Sequence, residues 1–224
     1  MRQTPVYIVC SPRPRVGKTL VSRLLAEFLF AEHGRVSAFD INVSDPSLID
    51  FLPRVTERAD VIDTRGQMAL MDRLIVHDGV PKVIDLGYPS FDAFFRLVAE
   101  VGFLKEAERR SVLPVTMFMA DHDRASARAF TALRAGFAKA AIIAVDNQFA
   151  TYGELDEPFA SARPLTIPAL PGFLKSIIDR KNFSFTQFLR DSNDPSSELH
   201  QWTRQNFLAF RELGLNLLLK KMWL

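Results

Sequence analysis

The chain is short of several things, and each shortage removes a class of explanation. It has one cysteine, Cys10, so no intramolecular disulfide can form, and a reducing cytoplasm suits it. Lys and Arg outnumber Asp and Glu by only 28 to 26, a net charge of +2 that gives no strong nucleic-acid signal. No uninterrupted apolar stretch is long enough to span a bilayer. The first apolar run is short and leads straight into a basic loop, which is not how a signal peptide is built. The only tyrosines are Tyr7, Tyr88 and Tyr152, and glycine is scarce where a phosphate loop would want it. What remains is 224 residues at 48% hydrophobic and 24% charged, enough for one well-buried core.

The organising stretch is Val6 to Leu20, VYIVCSPRPRVGKTL. A run rich in β-branched residues breaks into a basic loop and reopens as an amphipathic helix, with Leu20, Val21, Leu24, Leu25, Phe28 and Leu29 at helical spacing and Gly34 as the stop. Strand, loop and helix in that order are the setting of a phosphate-binding loop. There backbone N–H groups and a helix N-terminus converge on an anion, a lysine reaches the outer phosphates and a hydroxyl takes a Mg²⁺. Lys18 and Thr19 fit the last two roles. The full G-x-x-x-x-G-K-[ST] pattern is not met, because Pro12 stands at its first position, and Pro14 removes a backbone donor. A plain strand-to-helix turn that happens to contain Gly-Lys-Thr is the competing reading.

Two further strand ends carry carboxylates. Arg35 to Asp40 ends in Asp40-Ile-Asn42-Val-Ser-Asp45-Pro46, and Val80 to Leu86 carries Asp85, followed by Gly87. A carboxylate at such a tip can hold a metal-bound water, the role of a Walker B aspartate, or simply cap a turn. Helices are expected over Gln67 to Val76, Ser90 to Ala107 and Arg124 to Ala135, the last capped by Asp123. Strands are expected over Leu113 to Ala120, Lys139 to Val145 and Pro164 to Ile167. Alternation of this kind predicts an α/β fold: a mostly parallel sheet with helices on both faces, ligands at the carboxyl ends of its strands, and a C-terminal helical extension. The expected division is a nucleotide-binding domain over residues 1–175 and an extension over 176–224. In the extension, Phe183 to Leu189 reads as irregular and Glu198 to Leu224 as a helix.

On these motifs the chain resembles the MinD/ParA-type P-loop ATPases. Ser11, Pro14, Gly17, Lys18 and Thr19 match the loop of the branch related to bacterial tyrosine kinases and polysaccharide chain-length regulators, while Asp40 and Pro46 match its second motif, D-x-D-x-R-x-P. The likeness runs from about Val6 to Pro168. It implies Mg-ATP as cofactor, cradled by Ser11, Arg13, Pro14, Arg15, Val16, Gly17, Lys18, Thr19 and Leu20, with Thr19, Asp40 and Asp85 around the metal. It implies a homodimer in which Arg13, at the place of the family's signature lysine, reaches the partner's nucleotide; a solvated basic loop is the alternative for Arg13 and Arg15. Asn147 falls where relatives carry an asparagine that contacts adenine, and the absence of N-K-x-D favours ATP over GTP.

The departures bear on catalysis. Asn42 stands for the second aspartate of D-x-D, and an amide can hold a water but cannot take its proton, so slow hydrolysis is expected. Asp45 is the nearest substitute. Ser44 replaces the arginine of the kinase-like branch, and the few scattered tyrosines speak against tyrosine kinase activity. The resemblance implies a nucleotide-dependent positioning or regulatory switch with an unidentified protein partner. Its alternative is a non-catalytic scaffold that keeps the fold, and a ligase or synthetase on the same scaffold stays open. The last turns, from Leu213, are apolar nearly all round with two lysines. They are read as packing on their own domain or a partner subunit, or as lying on a membrane surface, peripheral to the inner membrane, as a C-terminal helix does in the MinD branch.

Overall fold

The computed structural model describes residues 3–42 and 47–222, with the side chains of 220–222 left aside. Ser44, Asp45 and Pro46, and with them the Asp45 expectation, lie outside the described residues.

Seven strands form one all-parallel sheet in the order β3-β2-β4-β1-β5-β6-β7. They are β1 (Thr4–Cys10), β2 (Ser37–Ile41), β3 (Thr56–Arg58), β4 (Lys82–Leu86), β5 (Val112–Met119), β6 (Ala141–Asn147) and β7 (Leu165–Ile167). Parallel strands need crossovers, and these are supplied by α1 (Lys18–His33), α2 (Leu48–Phe51), α3 (Thr64–Leu74), α4 (Phe91–Glu100), α5 (Phe103–Arg109) and α6 (Arg124–Gly136). Then come α7 (Gly172–Ile178), α8 (Phe185–Asp191) and α9 (Glu198–Met222).

Both faces of the sheet are covered, and period-two alternation decides which residue goes where. From β1, Val6, Ile8 and Cys10 enter the core beneath α3 to α6, a cluster rich in phenylalanine: Phe91, Phe94, Phe95, Phe118, Phe130 and Phe159. Tyr7 and Val9 enter the opposite core beneath α1, α7, α8 and α9. The same parity fixes the carboxylates. Phe39, Ile41, Ile84 and Leu86 belong to the first core, so Asp40 and Asp85 between them point to the α1 face.

Two expectations are corrected and one strand is added. The helix expected over Ser90 to Ala107 is two, α4 and α5, broken at Gly102, whose φ of +62° is the left-handed conformation that ends helices. Phe183 to Leu189, read as irregular, holds most of α8, which runs on to Asp191 and whose N-cap Ser184 accepts from the Gln187 N–H. The segment near Thr56 adds a strand, β3, on the edge of the sheet. Helix α7 runs across residue 175, and Leu174, Ile178, Phe185, Trp202 and Phe210 share one core with α1.

Candidate phosphate-binding site

The loop between β1 and α1 is held from within. Ser11 is fully buried and its hydroxyl accepts from the Arg13 N–H at 3.0 Å. Arg15 and Gly17 both take left-handed backbone, φ +61° and +85°, and Gly17 caps α1. Left-handed residues between right-handed ones turn successive N–H groups to one side, the concavity that binds anions. Asn147, buried at the end of β6, donates its Nδ2 to the Val16 carbonyl at 3.0 Å and sits under the turn. A Cβ on Gly17 would come within 2.0 Å of that nitrogen, so backbone and neighbour both demand glycine.

Lys18 and Thr19 open α1. The Lys18 ammonium donates to the Arg13 carbonyl at 2.7 Å, folding over its own loop. Burial pulls its pKa below the ordinary lysine value, and the charges of Asp85 and Asp121 oppose that pull. Thr19 Oγ1 donates to Asp85 Oδ2 at 2.7 Å and lies 3.0 Å from the Ser47 hydroxyl. One turn further, Ser22 donates to Asp85 Oδ1 at 3.1 Å.

The carboxylates arrive by register. In the β2–β4 pairing Asp40 stands directly opposite Asp85, and Asp85 is also level with Val9, just before the loop. Burial pushes Asp85 from 3.8 up to about 6; the Thr19 and Ser22 hydroxyls oppose this and the Asp40 charge adds to it. Burial likewise raises Asp40, against backbone donors at Ile49, Leu48 and Asn42. Ile49 N–H reaches Asp40 Oδ2 at 3.2 Å, while Asp40 Oδ1 is buried with no hydrogen-bond partner among the described residues. A buried carboxylate oxygen without a donor is an expensive arrangement that a cation relieves. Two carboxylates, a threonine hydroxyl and a serine hydroxyl form an all-oxygen, hard donor set, which fits Mg²⁺.

Arg13, half-exposed, pairs with Asp123 at 3.4 Å, and Asp123 caps α6 by accepting from the Ala125 N–H. Asn42 lies against Gly87, where a Cβ would come within 2.9 Å of its Oδ1. Lys18, Thr19, Asp40 and Asp85 are thus gathered at one rim, with Asn147 beneath the loop. Ser22 and Ser47 were not anticipated. Ser22 follows Thr19 by three residues and so shares its helix face, a signal the spacing contained. Ser47 follows a stretch with no periodicity and had none.

Two cavities, of about 390 and 690 Å³, open at the other, amino end of the strands, and none of these groups lines them. The site is assigned on its chemistry, because a phosphate cradle is a shallow nest of backbone donors and not a deep apolar cleft.

Neither a protein-family model nor a curated protein matches the chain. Among solved structures it resembles a chain of the MinC:MinD cell division protein complex of Aquifex aeolicus, with a TM-score of 0.58 at 15% identity, over 94% of this chain and 96% of that one. It also resembles the MinD cell division protein of Aquifex aeolicus, with a TM-score of 0.52 at 15% identity, over 94% and 97%. The chain therefore has a MinD-like α/β P-loop fold over nearly its whole length.

Proposed function

We propose that this chain, having a MinD-like fold, binds Mg-ATP at the β1–α1 loop and dimerises around it as a nucleotide-dependent positioning or regulatory switch with slow hydrolysis. The observation that carries the reading is the Thr19–Asp85 hydrogen bond beside a buried oxygen of Asp40 that has no partner among the described residues. These groups meet only because β1, β2 and β4 end at one level.

The roles follow from reach and charge. Lys18 exchanges the Arg13 carbonyl for phosphate oxygens, and the N–H groups at the start of α1 bind the same anion. Thr19, Asp40 and Asp85 hold the metal, which supplies charge neutralisation at the phosphates. Both carboxyls must ionise to do so, so a bound cation lowers the pKa values that burial has raised. Asn147 holds the loop by its amide and borders the base. Arg13 exchanges Asp123 for the partner's nucleotide. Asn42 holds a water without accepting its proton, which keeps turnover slow. The likeness to a MinC:MinD complex supports a protein partner; a cytoplasmic location with peripheral membrane contact is proposed by analogy.

A second reading, a scaffold that has lost nucleotide, draws on the loop itself. Pro12 and Pro14 lack N–H groups, the Arg13 N–H is spent on Ser11, and Lys18 is satisfied internally. Calorimetric titration of Mg-ATP separates the two. Binding in the micromolar range, weakened about a hundredfold or more by Lys18→Ala, is expected, and no heat at millimolar nucleotide establishes the scaffold. In single-turnover assays Asn42→Asp should speed hydrolysis, and light scattering should show a dimer only with nucleotide.

A further inference from the structure

The smaller cavity, about 390 Å³, lies between the sheet, the end of α1 and the last turns of α9, within the range of small-molecule sites. Its wall is apolar along Phe28, Leu29, Phe210 and Leu217, and polar where Glu32, His33, Arg35 and Arg211 line it. Three features of it bear on what it can hold.

The first is Tyr7. It lines the cavity, is 6% exposed, and among the described residues no hydrogen bond reaches its hydroxyl. Burial alone acts on the phenol, raising it to about 12. Its oxygen is not sealed from solvent, so it is open to a hydrogen bond from whatever enters the cavity. The second is Gly214, inside α9. Glycine weakens a helix interior, yet a Cβ here would meet nothing within 4 Å and its φ is not left-handed. Neither crowding nor backbone calls for it; its effect is to leave the cavity wall open. The third is charge. At the mouth Arg211 is paired with Glu32, while Arg35 makes no ion pair among the described residues.

We infer that this cavity binds a small amphipathic anion: an apolar body against Phe28 and Leu217, a hydrogen-bonding group inside at the Tyr7 hydroxyl, and an acidic group at the mouth on Arg35. The site is at the opposite end of the strands from Lys18 and stands whether or not nucleotide binds there.

The test is isothermal titration of the full chain with ω-hydroxydecanoate, decanoate and decylammonium. One-to-one binding in the order hydroxy acid, acid, amine is expected, with the amine at least about tenfold weaker than the acid. Tyr7→Phe should erase the advantage of the hydroxyl, Gly214→Phe should close the cavity and abolish binding, and Arg35→Glu should invert the charge preference. Circular dichroism checks each fold; if Gly214→Phe does not fold, the exposed Arg35→Glu and the amine comparison decide. No heat below millimolar ligand, binding that survives a folded Gly214→Phe, or a charge preference that ignores Arg35→Glu overturns the inference.

Discussion

Asp85 is where the cost of the site is concentrated. Its folded-state pKa is raised from 3.8 to about 6, so between those values the folded chain holds a proton the unfolded chain has lost. Stability from this group is full below about pH 3.8, falls as pH rises through that window, and is gone above about 6. At neutral pH the ionised carboxylate therefore works against the empty fold, by up to about 3 kcal/mol on a shift of this size. Asp85→Asn keeps a carbonyl acceptor for one of the Thr19 and Ser22 hydroxyls and offers its NH2 to the other, which accepts by rotating, and it should stabilise the ligand-free protein by about 1–3 kcal/mol at pH 7. It should also flatten the pH 4–6 slope of the urea midpoint, while lowering Mg-ATP affinity. A variant less stable than the parent at pH 7 contradicts this assignment.

At the scale of elements, α1 is tied to the region after α7 by one buried cation. Arg23 is 2% exposed; its guanidinium donates to the carbonyls of Ile178 and Phe183, lies 3.5 Å from Glu27, and is faced by the rings of Phe51 and Phe185, each at 4.5 Å. Glu27 in turn accepts from the Ser184 hydroxyl and the Thr186 N–H. Arg23→Ala strands two carbonyls and a buried carboxylate, and should cost about 3–5 kcal/mol in denaturant unfolding. Amide exchange across 178–191 should quicken before the strands do. This contact is also why α8 was illegible. Its seven residues, FTQFLRD, are too few to show a face, and what orders the region is a side chain more than 150 positions earlier. The strands β1, β4, β5 and β6 were legible because strands buried on both faces read as apolar runs.

For the whole molecule the question is which side of α9 belongs to the fold. Phe210 is buried against Phe28, ring centroids 5.8 Å apart, while Leu215, Leu218 and Leu219 are about half-exposed on the same helix. Phe210→Ala should lower stability by about 3–5 kcal/mol, and Leu219→Ala should change it by no more than about 0.5 kcal/mol. Thermal melts of the two variants check this. Equal losses would mean that the outer leucines are also packed in solution.

The amino-acid order by itself determined the repeating strand–helix plan, the loop around Lys18 and the two aspartates at strand ends, because each is written in local spacing and residue type. Only the tertiary structure decided that Asp40 and Asp85 stand side by side, that Thr19 and Ser22 share one carboxylate, and that Asn147 props the Val16 carbonyl from 131 positions away. Those are consequences of strand order and register, and a sheet that places β4 between β1 and β2 brings together residues whose separation along the chain carries no trace of it.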